Sequence, residues 1–236
     1  MRLDFNGERV LAVVAHPDDA EFLCAGTLAR VAHEGGTVGI AVLCQGDRGQ
    51  SDPPIKHLVS VRKHEMTDAA KLLGAQLFSS DVSDGSLQDS VEHRQILIDV
   101  FRTFIPTLVL AHAHNDYHSD HQAAAKLAFA ASWFAASNGH PSAQPPLASP
   151  PALWEMDTVG MSGFDPAFFI DITQFLELKQ QMLHCHKSQM ARKDETNFAP
   201  LEPLMLNQSA ARGLQAGVQA AEAFRWGGHW KRTRAF

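Results

Sequence analysis

The chain of 236 residues is poor in the features that mark several protein classes. Its three cysteines, Cys24, Cys44 and Cys185, form no CxxC pair, which argues against a disulfide framework and a thiolate zinc site. A net charge of -6 gives no basic field for nucleic acid or an anionic membrane. No apolar run approaches the roughly 18 residues of a membrane span, and the run at residues 10–15 is too short for a signal peptide. We therefore expect a cytoplasmic protein without nucleic-acid or membrane partners.

Apolar stretches alternate with helical patterns through the first half of the chain. Strands are predicted at residues 10–15, 37–44, 76–79 and 107–111, and helices at residues 18–34, 58–73 and 91–104. This alternation predicts an α/β fold, in which a largely parallel sheet is flanked by helices. No GxGxxG motif follows the first strand, so a dinucleotide-binding role is excluded.

The second half of the chain is less regular. Residues 137–151 hold five of the 12 prolines and predict an extended loop, which is a candidate lid. Residues 173–188 predict a helix, and the last forty residues give no clear pattern. The length is ordinary for one elaborated domain, so we expect residues 1–236 to form a single domain.

Two polar clusters follow two of the predicted strands. His16-Pro17-Asp18-Asp19 follows the strand at residues 10–15, and the strand at residues 107–111 is followed by a cluster that includes His118, Asp120 and His121. Ligands of open α/β sheets bind beyond the carboxyl ends of the strands. His16 and Asp19 can direct a nitrogen and an oxygen toward one point, and a histidine from the second cluster would complete a catalytic type of metal site with an open fourth position. Such ligands suit zinc, although iron, cobalt or manganese remain open.

The same clusters contain groups suited to acid and base chemistry. Asp18 is not needed as a ligand and is the natural general base for hydrolysis. The oxyanion of amide cleavage needs a donor, and a protonated histidine held by a carboxylate would supply one. His118 fits this role, with Asp116 or Asp120 to orient it.

Both motifs together resemble the PIG-L/LmbE-like family of zinc-dependent N-acyl amino-sugar deacetylases. His16-Pro17-Asp18-Asp19-Ala20-Glu21 is followed about a hundred residues later by His118-Ser119-Asp120-His121, where many members have proline in place of Ser119. Shorter matches extend the resemblance over residues 10–225: Arg62-x-x-Glu65, Asp84-Gly85-x-Leu87, Asp171-Ile172-Thr173, His186-x-Ser188-Gln189 and Glu222-Ala223-Phe224-Arg225. The resemblance implies a Rossmann-like fold with a C-terminal elaboration. It also implies zinc held by His16, Asp19 and His121, a general base at Asp18 and an oxyanion donor at His118, with Asp120 in the same catalytic motif.

The resemblance implies that the substrate is a small amino sugar, such as an N-acetylglucosamine derivative, which loses its acetyl group. It further implies a homo-oligomer and substrate contacts from Arg62, Asp84 and His186. Local sequence leaves other interpretations open: a surface ion pair for Arg62 with Glu65, a turn residue at Asp84, and a helix-end histidine at His186. The alternative functions are an amidase of a larger thiol-sugar conjugate or glycolipid, a metal-dependent phosphoesterase, and a non-catalytic sugar-binding protein.

Overall fold

A computed structural model describes residues 4–192 and 200–227 of the chain. The helices are α1 (Asp19–Leu23), α2 (Ala25–His33), α3 (Leu58–Leu73), α4 (Val91–Phe104), α5 (Ser119–Phe134), α6 (Leu176–His184), α7 (Lys187–Met190) and α8 (Leu201–Ala216). The strands are β1 (Arg9–Val14), β2 (Thr37–Cys44), β3 (Gln76–Val82), β4 (Leu108–Ala111), β5 (Ala152–Met156), β6 (Phe168–Asp171) and β7 (Ala221–Trp226).

The strands form one sheet in the order β3-β2-β1-β4-β5-β7-β6. Neighbours from β3 to β5 pair in parallel, whereas β7 runs antiparallel to both β5 and β6. The sheet confirms the predicted α/β class with a largely parallel sheet, and the antiparallel strands are the C-terminal elaboration. The strand order reverses at β1, which has β2 on one side and β4 on the other. Beyond the carboxyl ends of two such strands lies the usual binding crevice of an open α/β sheet.

β1 is buried on both faces because helices cover both sides of the sheet. Its side chains alternate between two apolar clusters, as expected for a strand. One cluster joins Val10, Ala12 and Val14 to apolar residues of α2, α3, α6 and α8. The other joins Leu11 and Val13 to residues of α4 and α5. Each fully buried Val or Leu contributes about 1.5–3 kcal/mol, so the strand that precedes His16 is held firmly.

Several predicted elements have the expected bounds, and two predicted helices are interrupted. The helices at residues 58–73 and 91–104 are confirmed, and β3 continues to Val82. The helix predicted at residues 18–34 was wrong as one element, because Cys24 separates α1 from α2. The helix predicted at residues 173–188 is likewise divided, into a 3-10 turn (Thr173–Phe175), α6 and α7.

The break before α2 coincides with a buried carboxylate from the other end of the chain. Glu222 on β7 accepts the backbone N–H groups of Gly26 at 2.9 Å and Thr27 at 2.7 Å. A helix leaves its first N–H groups without partners, and a negative charge is favourable at that end. Lys179 of α6 donates to the same carboxylate at 2.5 Å and to the carbonyl of Phe22 in α1 at 2.7 Å. This network joins α1, α2, α6 and β7.

The proline-rich loop at residues 137–151 lies at the amino ends of the parallel strands, whereas the polar clusters lie at their carboxyl ends. It leads into β5, whose first residue, Ala152, pairs with Leu108 at the amino end of β4. The guanidinium of Arg102 holds the loop by donating to the carbonyls of Ser137, His140 and Gln144. The candidate lid was therefore wrong, because the loop cannot cover the carboxyl ends of the strands.

The last forty residues contain α8 and β7, for which the sequence offered no prediction. Residues 228–236, including most of the Trp226-Gly-Gly-His-Trp230 segment, lie outside the described residues. Within the described ranges, no helix combines the length and the apolar character needed to cross a membrane.

Candidate metal centre and active site

The two predicted polar clusters meet at the carboxyl ends of β1 and β4, which are neighbours in the sheet. The first cluster forms a tight turn between β1 and α1. Asp18 has a φ of 96°, which is rare for a residue with a side chain, and the Asp19 carboxylate accepts the backbone N–H of His16 at 2.7 Å. The second cluster begins α5, and it places His121 in the first turn of that helix.

The three predicted metal ligands come together. Nδ1 of His16 lies 3.3 Å from Nε2 of His121 and 3.5 Å from Oδ2 of Asp19, and His121 Nε2 lies 3.4 Å from Asp19 Oδ1. A tetrahedral zinc with bonds of about 2.0–2.1 Å keeps its ligand atoms roughly 3.3–3.4 Å apart. The two nitrogens and the two oxygens of this carboxylate are therefore spaced as the ligand atoms of a zinc-sized ion are.

Three further sets of potential metal ligands overlap with these residues. Ligand atoms lie close together in the sets His16, His118 and His121; His16, Cys44 and Asp120; and Asp19, His112 and His121. The set with Cys44 is the weakest, because burial and the nearby Asp120 raise the pKa of its thiol well above the usual range. A thiol must lose its proton to bind a metal. The candidate centre thus consists of His16, Asp19 and His121, with His112 and His118 close by.

Carboxylates contact the outer nitrogens of both candidate histidine ligands. Asp120 Oδ2 lies 2.9 Å from Nε2 of His16 and also accepts the backbone N–H of Gly85 at 2.7 Å. Asp116 Oδ1 lies 3.1 Å from Nδ1 of His121. Such contacts fix the ring orientation of metal-binding histidines and increase their basicity. They leave the inner nitrogens of both rings directed at Asp19.

The neighbouring carboxylates also control the protonation of these rings. Burial alone would lower the pKa of His16, but its hydrogen bonds with Asp120 and Asp19 raise it to about 10. Burial likewise opposes the charge of His121, yet Asp19 and Asp116 raise its pKa to about 9. Without a cation, the carboxylates therefore favour the protonated form of these rings at pH 7, and a bound metal would take the place of a proton between the two inner nitrogens.

Zinc binding to the metal-free protein at pH 7 is expected to release at least about one proton from the two rings. Because both pKa values lie above 7, the affinity for zinc should rise with pH. The rise is about tenfold per pH unit for each proton that is released. Calorimetric titration in buffers of different ionisation enthalpy measures the proton count. The variant His64→Gln, at an exposed position of α3, serves as a control that should keep the count. A count near zero would contradict the protonation of these rings.

Asp18 lies beside the candidate ligands but points to another partner. Its Oδ2 accepts a hydrogen bond from Nε2 of Gln189 at 2.8 Å. Burial and the adjacent charge of Asp19 raise the pKa of Asp18 to about 6, although His186 and Arg62 oppose the shift. A carboxylate that titrates close to neutral pH is suited to take up and give back a proton.

His118 has a different partner from the one predicted. Its Nδ1 accepts the backbone N–H of Asp120 at 3.1 Å and caps α5, whereas Asp116 and Asp120 face the rings of His121 and His16. Burial, together with the positive charges of His16 and His121, lowers the pKa of His118. The expectation of a protonated ring held by a carboxylate is therefore corrected to a neutral ring. With Nδ1 accepting, its proton stands on Nε2, which remains a donor.

Arg62 and Glu65 are buried, so the interpretation as a surface ion pair was wrong. Arg62 donates to the carbonyl of Gly49 at 2.8 Å and to the side chain of Gln189. Glu65 accepts from the backbone N–H and the hydroxyl of Ser188, at 2.7 and 2.6 Å. One turn of α3 thus anchors α7 beside Asp18.

The other two predicted substrate contacts have partners within the protein. Both oxygens of Asp84 accept backbone N–H groups, from Gly46 at 2.8 Å and Arg48 at 3.1 Å, so this residue organises the loop after β2. His186 is fully buried, with Nε2 3.3 Å from Glu21. Burial would lower the pKa of His186, but Glu21 raises it.

Three residues of this region were not assigned to the site from the sequence. His112 is fully buried, with Nε2 3.2 Å from Asp19 Oδ2 and its ring stacked on His121. Its position directly after β4, matching that of His16 after β1, was the available signal. Asp116 was considered only as an orienter of His118. Gln189 was part of a matching pattern but received no role, because only the fold shows that α7 approaches Asp18.

Known proteins resemble this chain over most of its length. It is 28% identical over 188 residues to 4-oxalmesaconate hydratase of Pseudomonas putida, covering 76% of this chain and 73% of that protein. It is 26% identical over 229 residues to diacetylchitobiose deacetylase of Thermococcus kodakarensis, covering 93% and 83%.

Solved structures and a family comparison extend this result. The conserved protein TT1542 from Thermus thermophilus is 29% identical, with a TM-score of 0.81 and coverage of 96% of this chain and 100% of that chain. The N,N'-diacetylchitobiose deacetylase from Pyrococcus horikoshii has the same fold, with a TM-score of 0.81, 24% identity and coverage of 92% and 83%. The PIG-L family, described as GlcNAc-PI de-N-acetylase, matches residues 11–132, which is just over half of the chain. The chain therefore belongs to the PIG-L family.

Proposed function

We propose that this protein is a metal-dependent hydrolase that removes the N-acetyl group of an amino-sugar-type substrate, such as an N-acetylglucosamine derivative. The observation that carries the proposal is the cluster of His16, Asp19 and His121 at ligand spacing, together with the buried carboxylate of Asp18, which interacts electrostatically with Asp19. Membership of the PIG-L family and the likeness to diacetylchitobiose deacetylase support the same reaction.

His16, Asp19 and His121 would hold the ion, which we propose to be Zn²⁺. When bound, it supplies Lewis-acid polarisation and lowers the pKa of water. Asp18 takes a proton from the attacking water and delivers it to the departing amine. Its pKa of about 6 allows both steps near neutral pH. The Nε2–H of His118 donates to the oxyanion that forms at the former carbonyl.

Asp120 acts in this scheme by orienting His16, with which it is in contact. Arg62, Asp84 and His186 remain our proposed substrate-binding residues. Each oxygen of Asp84 has a second lone pair that a sugar hydroxyl can use, although its present contacts are with backbone N–H groups. We further propose a cytoplasmic homo-oligomer; the free thiols of Cys24, Cys44 and Cys185 fit a reducing compartment.

A second candidate function is the addition of water to a carbon-carbon double bond. The likeness to 4-oxalmesaconate hydratase favours it, and hydration also needs a base such as Asp18 and a donor such as His118. The two reactions differ in their products, because only amide hydrolysis releases an amine.

The test is amine release from N-acetylglucosamine, diacetylchitobiose and larger thiol-sugar and glycolipid conjugates. We expect release from at least one of them, its loss on treatment with a chelator, and its return when zinc is added. Hydration of 4-oxalmesaconate is followed in parallel. A protein that binds zinc and hydrates this compound, but releases no amine, would replace the deacetylase proposal by the hydratase. A protein that binds no divalent metal would contradict the deacetylase proposal.

A further inference from the structure

The side chain of Gln189 connects the proposed base to a buried arginine. Its Nε2 donates to Oδ2 of Asp18 at 2.8 Å, and its Oε1 accepts from the guanidinium of Arg62. Asp18 lies at the start of α1, Arg62 lies in α3 and Gln189 lies in α7. All three side chains are buried, so each contact is made away from bulk water.

The chemistry of the two partners determines the direction of the amide. A guanidinium has only donors, so the group that faces Arg62 must be the amide oxygen. The amide nitrogen then faces Asp18, to which it can only donate. A flipped amide would set donors against Arg62 and an oxygen against the carboxylate, and it would leave buried groups unpaired, which is unfavourable.

The arrangement is anchored on both sides. Arg62 also donates to the carbonyl of Gly49 at 2.8 Å, which limits its movement. Glu65, three residues later on α3, accepts from the backbone and the hydroxyl of Ser188, next to Gln189. Positions three apart lie on one face of a helix, so a single face of α3 fixes both the amide and the short helix that carries it.

We propose that Gln189 is a positioning residue that holds Oδ2 of Asp18 as a hydrogen-bond acceptor and leaves Oδ1 as the oxygen that takes the proton from water. The inference rests on the proposed function, in which Asp18 is the general base. A free carboxylate can rotate and exchange its two oxygens. The amide N–H opposes this rotation and fixes the plane of the carboxylate, because it pairs with one oxygen and is itself held by Arg62.

The kinetic test compares Gln189→Leu and Gln189→Glu with a matched control, Gln181→Leu, at an exposed position of α6. A glutamate keeps the size of the side chain and the contact with Arg62, but it has no N–H to donate to Asp18. We expect both substitutions at Gln189 to lower kcat by about 10- to 100-fold, with unchanged KM and zinc content, and the control to match the wild type. Both should also lower the melting temperature, because the buried partners of Gln189 lose a hydrogen bond, so kcat is measured well below the unfolding transition of each variant. Near-normal kcat for a folded, zinc-loaded Gln189→Leu would overturn the positioning role, because leucine fills the space but donates no hydrogen bond, whereas Gln189→Glu also places a like charge against Asp18.

A second measurement does not depend on turnover. Neutron diffraction from metal-free wild-type crystals grown in D₂O locates the deuterons of Gln189. We expect two deuterons on the amide atom facing Asp18 and none on Oδ2, and the reverse amide orientation would overturn the inference. If the wild type hydrolyses no amide, the proposed function fails, while the neutron result still decides the orientation. If the wild type is active and both variants match it, the positioning role fails and the proposed function stands.

Discussion

Replacement of Asp18 by asparagine is expected to lower kcat for amide hydrolysis by about 10²- to 10⁴-fold, the usual contribution of a general base. Asparagine preserves the size of the side chain, and its oxygen can still accept the hydrogen bond of Gln189. It cannot take up a proton. The side chain lies outside the set formed by His16, Asp19 and His121, so zinc affinity should change little.

The measurement is steady-state kinetics on whichever N-acetylated amino sugar the wild type cleaves, with zinc content determined for each preparation. Asp81→Asn, at an exposed position of β3, is the matched control and should behave as the wild type. Activity of Asp18→Asn within a factor of two or three of wild type, at full zinc content, would remove Asp18 from the role of base.

The sequence was sufficient to predict that these side chains lie together, because the candidate ligands follow strand ends. His16 and Asp19 are three residues apart in one turn, and His121 follows β4, which is next to β1 in the sheet. Parallel strands bring their carboxyl ends to one edge, so two local motifs became one cluster. The same reasoning gave the parallel part of the sheet, since apolar strands alternate with helices there.

The contacts around the centre could not be predicted in this way, because they depend on long-range packing. Asp120 follows His118 by two residues, yet its carboxylate turns to His16, 104 positions away in the chain. The backbone N–H of Asp120 takes the place that a carboxylate was expected to occupy beside the His118 ring. Gln189 approaches Asp18 across 171 positions. The contact of Asp120 with His16 depends on how the segments after β1 and β4 pack together. The contact of Gln189 with Asp18 depends on how α7 packs on α3 and α1.

The interruption between α1 and α2 has the same origin and leads to the largest expected effect on stability. Glu222 and Lys179 form a buried ion pair, with Glu222 4% exposed and Lys179 1% exposed. Removal of one member of a buried pair leaves the other charge uncompensated and typically costs about 3–5 kcal/mol. The two members differ in their remaining partners, so the two substitutions should not be equivalent.

Glu222→Leu is expected to lower the free energy of unfolding by about 3–5 kcal/mol, and Lys179→Met by less. Without Glu222, Lys179 keeps only the carbonyl of Phe22, and the N–H groups of Gly26 and Thr27 lose their acceptor. Without Lys179, the carboxylate of Glu222 keeps both N–H donors and its favourable position at the amino end of α2.

Urea unfolding of the metal-free proteins measures the difference in the free energy of unfolding, since bound metal would add its own stabilisation. Glu177→Gln, at an exposed position of α6, is the control and should shift stability by less than about 0.5 kcal/mol. A larger loss for Lys179→Met than for Glu222→Leu would mean that the N–H groups of α2 contribute little, and that the ion pair alone holds α1 and α2 against β7.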